Sequence, residues 1–107
     1  MKNYISFDVG GTDVKYAIIS ETGDILRKDS YKSPNNLDDF FREIIERINN
    51  CEEKLSGIAL SLPGAVDSVN GTIGGSSALD YIHGPNFKEI LTEATDLDVE
   101  MENDANC

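Results

Sequence analysis

The sequence is poor in positive charge, cysteine and histidine, and it contains no long apolar run. Nine lysines and arginines face twenty acidic residues, for a formal net charge of -11. That balance argues against binding DNA, RNA or an anionic membrane through a broad basic face. If the ligand is a nucleotide, a divalent cation must offset much of the repulsion. Cys51 and Cys107 are the two cysteines, with neither disulfide nor metal-ligand spacing, so a reducing, cytoplasmic setting is expected. His83 is the one histidine, set in Tyr81-Ile82-His83-Gly84-Pro85, and is read as structural rather than catalytic or metal-binding. The apolar run after Met1-Lys2-Asn3 breaks at Asp8, too early for a signal peptide or a membrane span. Internal repeats, low-complexity tracts and linkers are also missing, and 107 residues suit one domain over 1–107. A domain of that size buries about 60 to 70% of the surface its unfolded chain exposes.

What is present is a regular alternation of patterns. Tyr4 to Val9 and Val14 to Ile19 alternate in polarity around Gly10-Gly11-Thr12-Asp13, which predicts a hairpin. The turn signal Glu21-Thr22-Gly23-Asp24 then leads into Ile25 to Tyr31, extending the hairpin to a three-stranded antiparallel meander. After Ser33-Pro34-Asn35-Asn36 the apolar residues Leu37, Phe40, Phe41, Ile44, Ile45 and Ile48 form one stripe at helical period. Asn36 is placed to cap this helix, Asp38 and Asp39 suit its first turn, Glu43 can pair with Arg47, and Asn49-Asn50 ends it.

Gly57 to Leu62 is almost continuously apolar, which predicts a central strand covered on both faces and stopped by Pro63-Gly64. Ala65 to Ala78 is rich in Gly and Ser, with a tight-turn signal at Asn70-Gly71. Pro85 is expected in the first turn of a shorter helix presenting Phe87, Ile90, Leu91 and Ala94 on one side. Leu97, Val99 and Met101 alternate with acidic residues, predicting a last strand with one covered face. The order gives an α/β fold with helices packed on a mixed sheet.

Three polar clusters carry candidate chemistry. In Asp8-Val9-Gly10-Gly11-Thr12, the glycines either supply the positive φ of a tight hairpin or let backbone N–H groups approach phosphate oxygens beside the Thr12 hydroxyl and the Asp8 carboxylate. The turn joins strand to strand and matches neither the P-loop nor the Rossmann fingerprint. Lys15 is read as a solvated strand residue, and Asp13, which would repel phosphate, as facing water. In Leu62-Pro63-Gly64-Ala65-Val66-Asp67, Gly64 either ends a strand or lets a small substrate lie against the backbone. In Asn103-Asp104-Ala105-Asn106, the Asn-Asp pair either caps a helix or serves adjacent hydroxyls, with Asp104 able to take a proton.

Occurring in this order, with Glu102 preceding the last cluster, the three segments closely resemble the amino-terminal lobe of the ROK family of sugar kinases and repressors. The resemblance implies a lobe of the ribonuclease H-like, actin-type ATPase fold, with ATP and sugar bound between two lobes. It implies that Asp8, Gly10, Gly11 and Thr12 form the first phosphate motif, with Asp8 toward Mg²⁺. It also implies that Gly64, Asn103 and Asp104 line the sugar site and that Asp104 is the general base. The expected activity is ATP-dependent phosphorylation of glucose or a related hexose. ATP, Mg²⁺ and the sugar are then the small-molecule partners, without nucleic acid or membrane, and the full-length protein is expected to be a homodimer. The family's second lobe, with its cysteine-rich zinc site, does not appear in these residues, so this piece alone is expected to be inactive. Asp13 stands where many members carry a basic residue. Alternatives are a sugar-sensing repressor, expected to need a helix-turn-helix for which the seven residues before Asp8 leave no room, and a non-catalytic sugar- or nucleotide-binding domain.

Overall fold

Among the described residues the alternating segments assemble into one five-stranded sheet with two helices on one side. The structure is a computed structural model, and it describes residues 2–62, 65–67, 72–74 and 86–103. The elements are β1 (Asn3–Val9), β2 (Asp13–Ser20), β3 (Ile25–Lys32), α1 (Leu37–Asn49), β4 (Leu55–Leu62), β5 (Ala65–Asp67), β6 (Thr72–Gly74), α2 (Phe87–Thr95) and β7 (Asp98–Asn103). The sheet order is β3-β2-β1-β4-β7, with β5 and β6 forming a separate antiparallel pair. β1, β2 and β3 are the expected antiparallel meander, while β1, β4 and β7 run parallel.

Period-two alternation divides the sheet residues between its faces. Ile5, Phe7 and Val9 of β1, Val14 and Ile18 of β2, Ile58, Leu60 and Leu62 of β4, and Val99 and Met101 of β7 are buried. They share one core with Phe40, Phe41, Ile44 and Ile48 of α1 and with Phe87 and Leu91 of α2. Phe87 joins the helices, its ring centroid 5.7 Å from that of Phe40 and 5.0 Å from that of Phe41. At the β2–β3 side the Arg47 guanidinium lies 3.6 Å from the Tyr31 ring centroid and pairs with Glu43, fixing α1 over the meander.

Both helices begin as their sequences dictate. Asn36 Oδ1 accepts from Asp39 N–H at 2.8 Å, and Asn86 Oδ1 accepts from Glu89 N–H at 3.0 Å. α1 stops at Asn49 with Asn50 as its C-cap, and α2 stops at Asp96, whose φ of 60° breaks the helix. No helix among the described residues is long and apolar enough to cross a membrane.

Five expectations need correction or restriction. Among the described residues both helices lie on the side of Ile58, Leu60 and Leu62 of β4, while on its other face only Gly57, beside the Tyr4 ring, is buried and Ala59 is exposed. A run of small residues, Gly57, Ala59 and Ser61, had made both faces of that strand read as apolar. In α2, Ala94 falls on the Phe87 side by helical period but is exposed in the last turn, while Phe87 and Leu91 are buried. That helix begins at Phe87 with Asn86 as its cap, so Pro85 is not in its first turn and lies outside the described residues. Asn70-Gly71 and His83 also lie outside them, although β5 and β6 pair antiparallel on either side of the former.

Candidate active site

The carboxyl ends of the parallel strands finish together. Asp8 on β1 is in register with Ser61 on β4, Ser61 with Glu102 on β7, and Leu62 with Asn103. With strands about 4.8 Å apart, the backbones of Asp8 and Glu102 are separated by roughly 10 Å, about the width of a small ligand. Open α/β sheets gather ligands outside such strand ends.

The Gly10-Gly11-Thr12 turn closes β1 onto β2 through Gly10 N–H donating to Asp13 O at 3.0 Å. A Cβ on Gly10 would lie 3.0 Å from that same oxygen, so close approach of backbone to backbone is what demands glycine here. The alternative based on positive φ fails: among the described residues only Gly23, in the β2–β3 turn, has a glycine φ in that range, at 90°. Two carbonyls of the turn are tied from behind by Ser33, which follows β3. Ser33 Oγ donates to Gly10 O at 2.7 Å and Ser33 N–H donates to Thr12 O at 2.8 Å. With the carbonyls engaged, the N–H groups of Gly11 and Thr12 donate to no acceptor among the described residues, which is the polarity an anion requires.

Asp8 is exposed at the end of β1, as are Gly11, Thr12 and Asp13, and Gly10 is half-buried. Directly across β2 from Asp8 is Lys15, also exposed and on the face opposite the helices. No group of three or more metal-ligating side chains occurs among the described residues. Asp8 therefore offers one hard oxygen ligand with no ion-pair partner there, which suits Mg²⁺, an ion usually held by one or two carboxylates together with waters and phosphate oxygens.

Of the residues expected to line a sugar site, Asn103 is the last residue of β7, and Gly64 and Asp104 lie outside the described residues. Asp8 and Asn103 are thus brought to the same sheet edge, and Asp104 follows Asn103 directly in the chain. The tie from Ser33 to the turn is not legible in the sequence, because Ser33-Pro34 reads as a plain breaker. Its signal was a hydroxyl at the end of the third strand of a meander whose first turn needs its carbonyls occupied.

The comparisons agree with this architecture. A ROK family protein from Streptococcus pneumoniae TIGR4, solved in complex with sucrose, superposes with a TM-score of 0.90 at 43% identity, covering 98% of this chain and 35% of that one. A beta-glucoside kinase of Listeria monocytogenes is 36% identical over 104 residues, 95% of this chain and 35% of its own length. A ROK family glucokinase of Streptomyces griseus, solved with glucose and AMPPNP, shares the fold with a TM-score of 0.84 at 24% identity, over 97% of this chain and 34% of that one. The chain therefore spans about a third of the length of the relatives it matches. With residues 4–107 matching the family and the strand order carrying its motifs to one sheet edge, the chain belongs to the ROK family and has the fold of its actin-type amino-terminal lobe.

Proposed function

We propose that the full-length protein carrying this lobe is an ATP-dependent kinase of glucose or a related hexose, transferring the γ-phosphoryl group to a sugar hydroxyl. The observation that carries this reading is the common register of Asp8, Ser61 and Glu102, which brings the phosphate turn and the Asn103 end of β7 to one edge of the sheet. The names of the beta-glucoside kinase and of a Thermotoga maritima glucokinase, 31% identical over 106 residues, support a glucose-type acceptor.

In this reading each group has a separate task. The N–H groups of Gly11 and Thr12, which have no acceptor among the described residues, orient phosphate oxygens with the Thr12 hydroxyl, and Ser33 keeps the turn aimed. Asp8 would hold Mg²⁺, which when bound supplies charge neutralisation for the phosphates. Asn103 and Gly64 position the sugar, Gly64 by leaving room for it against the backbone. Asp104 accepts the proton of the attacking hydroxyl as the oxygen–phosphorus bond forms. Phosphoryl transfer depends mainly on such positioning and charge stabilisation, to which a placed base adds about 10²- to 10⁴-fold.

The test is Asp104→Asn in the full-length protein. Turnover of sugar should fall by about 10²-fold or more while the melting temperature stays within roughly 2 °C, because the side chain keeps its shape and loses its basicity. Equal turnover in variant and wild type removes the assignment. Nucleotide hydrolysis that proceeds equally without sugar would instead make the protein an ATPase of the same fold.

A further inference from the structure

Every residue of the edge strand β3 is exposed except Tyr31, which is half-buried and is the side chain of that strand that packs against the core. Tyr31 is in register with the buried Val14, so its ring lies on the helix face of the sheet. There it ends a row of rings that crosses three strands. The centroids of Phe7 and Tyr16 are 5.7 Å apart, and those of Tyr16 and Tyr31 are 6.1 Å apart. The Arg47 guanidinium closes the row, 3.6 Å from the Tyr31 centroid and 5.6 Å from that of Tyr16.

Arg47 is itself held in one orientation. It pairs with the carboxylate of Glu43, one turn earlier on α1, and its Nη1 also donates to the Glu43 carbonyl at 3.2 Å. Its Nε is buried and meets no acceptor among the described residues, an unfavourable state for a donor. An aliphatic side chain would cover the rings without that cost, so the packing of α1 does not by itself call for an arginine at 47. What an arginine adds is a planar cation pressed on a ring face, a contact that lysine does not reproduce. Two residues beyond Tyr31, Ser33 makes both ties to the phosphate turn, Oγ to Gly10 O at 2.7 Å and N–H to Thr12 O at 2.8 Å. One mechanical line therefore runs from α1 through Arg47, Tyr31 and Ser33 to the turn.

We propose that Arg47 is a positioning residue for the phosphoryl donor: by clamping Tyr31 it fixes Ser33, and through Ser33 it keeps the N–H groups of Gly11 and Thr12 aimed at phosphate oxygens. Arg47 acts through these two residues and not on the substrate, and its role in donor binding rests on the kinase reading. Without the clamp the end of β3 gains freedom, and part of the interaction with the donor goes into ordering the turn. The signature is a weaker grip on ATP with sugar binding unaffected.

The test uses the full-length protein and two measurements, amide exchange at Gly11 and Thr12 without ligand and calorimetric titration with ATP plus Mg²⁺ and, separately, with glucose. In Arg47→Gln the exchange should speed by about tenfold and the Kd for ATP should rise about 3- to 20-fold, while the Kd for glucose stays within about twofold. Tyr31→Leu removes the same contact from the other side, should act in the same way, and decides the matter if Arg47→Gln does not fold. Tyr31→Phe keeps the ring face and should stay within about twofold of the wild type, whereas Arg47→Lys, which keeps the charge and loses the plane, should remain impaired. Ile48→Val trims the buried core side of the same helix and lowers stability, yet should leave both the turn's exchange and the ATP affinity unchanged. Wild-type exchange and ATP affinity in Arg47→Gln and Tyr31→Leu overturn the proposal. So does an equal acceleration in Ile48→Val, an equal loss of glucose binding, or a wild type that does not bind ATP. Faster exchange and weaker ATP binding in the variants of a protein that phosphorylates no sugar would remove the kinase reading and keep the Arg47 assignment. A working kinase whose Arg47→Gln variant keeps its ATP affinity would do the reverse.

Discussion

The two faces of the five-stranded sheet are built from the same strands and have opposite characters. On the helix side, β1 presents Ile5, Phe7 and Val9, all at most 1% exposed. On the other side the same strand presents Tyr4, Ser6 and Asp8, exposed or half-buried. β2 repeats the division, with Val14 and Ile18 inward and Lys15 and Ala17 outward. A strand alternates with period two, so stability and chemistry are assigned to odd and even positions of one segment, and a one-residue slip would exchange them. Polar substitutions outward should therefore touch function and leave folding intact, while truncations inward should do the opposite.

The largest test of that division is Phe87→Ala. Phe87 is fully buried between both helices, and its truncation should cost about 3 to 5 kcal/mol in urea unfolding. Its counterpart on the open face, Asp8→Asn, should stay within about 0.5 kcal/mol of the wild type. A loss of several kcal/mol in Asp8→Asn would break the comparison. Ser33→Ala is a sharper probe, because Ser33 is buried yet ties the Gly10-Gly11-Thr12 turn. It should cost about 1 to 2 kcal/mol and speed amide exchange at Gly10 to Asp13, read by hydrogen exchange. The smallest effect concerns Cys51, half-buried at the end of α1. Burial raises its thiol pKa above the ordinary range, and the hydrogen bond to Glu53 adds to this. Its rate of alkylation should rise with pH at a midpoint above that of a free cysteine. Because the folded state favours the neutral thiol, the stability it contributes is present below the unfolded pKa and lost as pH rises through the folded one.

How much of this was legible in the sequence depended on whether local or long-range forces decide each feature. The meander, the α1 stripe with its Asn36 cap, and the alternation of β7 are set by residues within a few positions of one another, and they formed as read. The coverage of β4 depends on where helices distant in sequence settle, and its small residues gave no sign of which face they would leave open. Gly10 was legible as a necessary glycine, but the reason, contact with Asp13 O rather than an unusual φ, required the turn's backbone path. Lys15 reads as a solvated strand lysine, and the structure leaves it exposed, in register with Asp8. Gly57 is a further case: a Cβ there would approach the Tyr4 ring to 3.2 Å, a contact between strands fifty residues apart that no local pattern encodes.

The double tie from Ser33 to Gly10 and Thr12 has a mechanical consequence. Ser33 stands three residues before Asn36, the cap of the helix that carries Phe40 into the core. The turn is thereby tethered on a very short lead to a rigid body, and it cannot be re-aimed without dragging that helix against the aromatic rings beneath it. Whatever the turn grips, it meets a surface already set before the encounter, and little ordering remains to be done when the two come together.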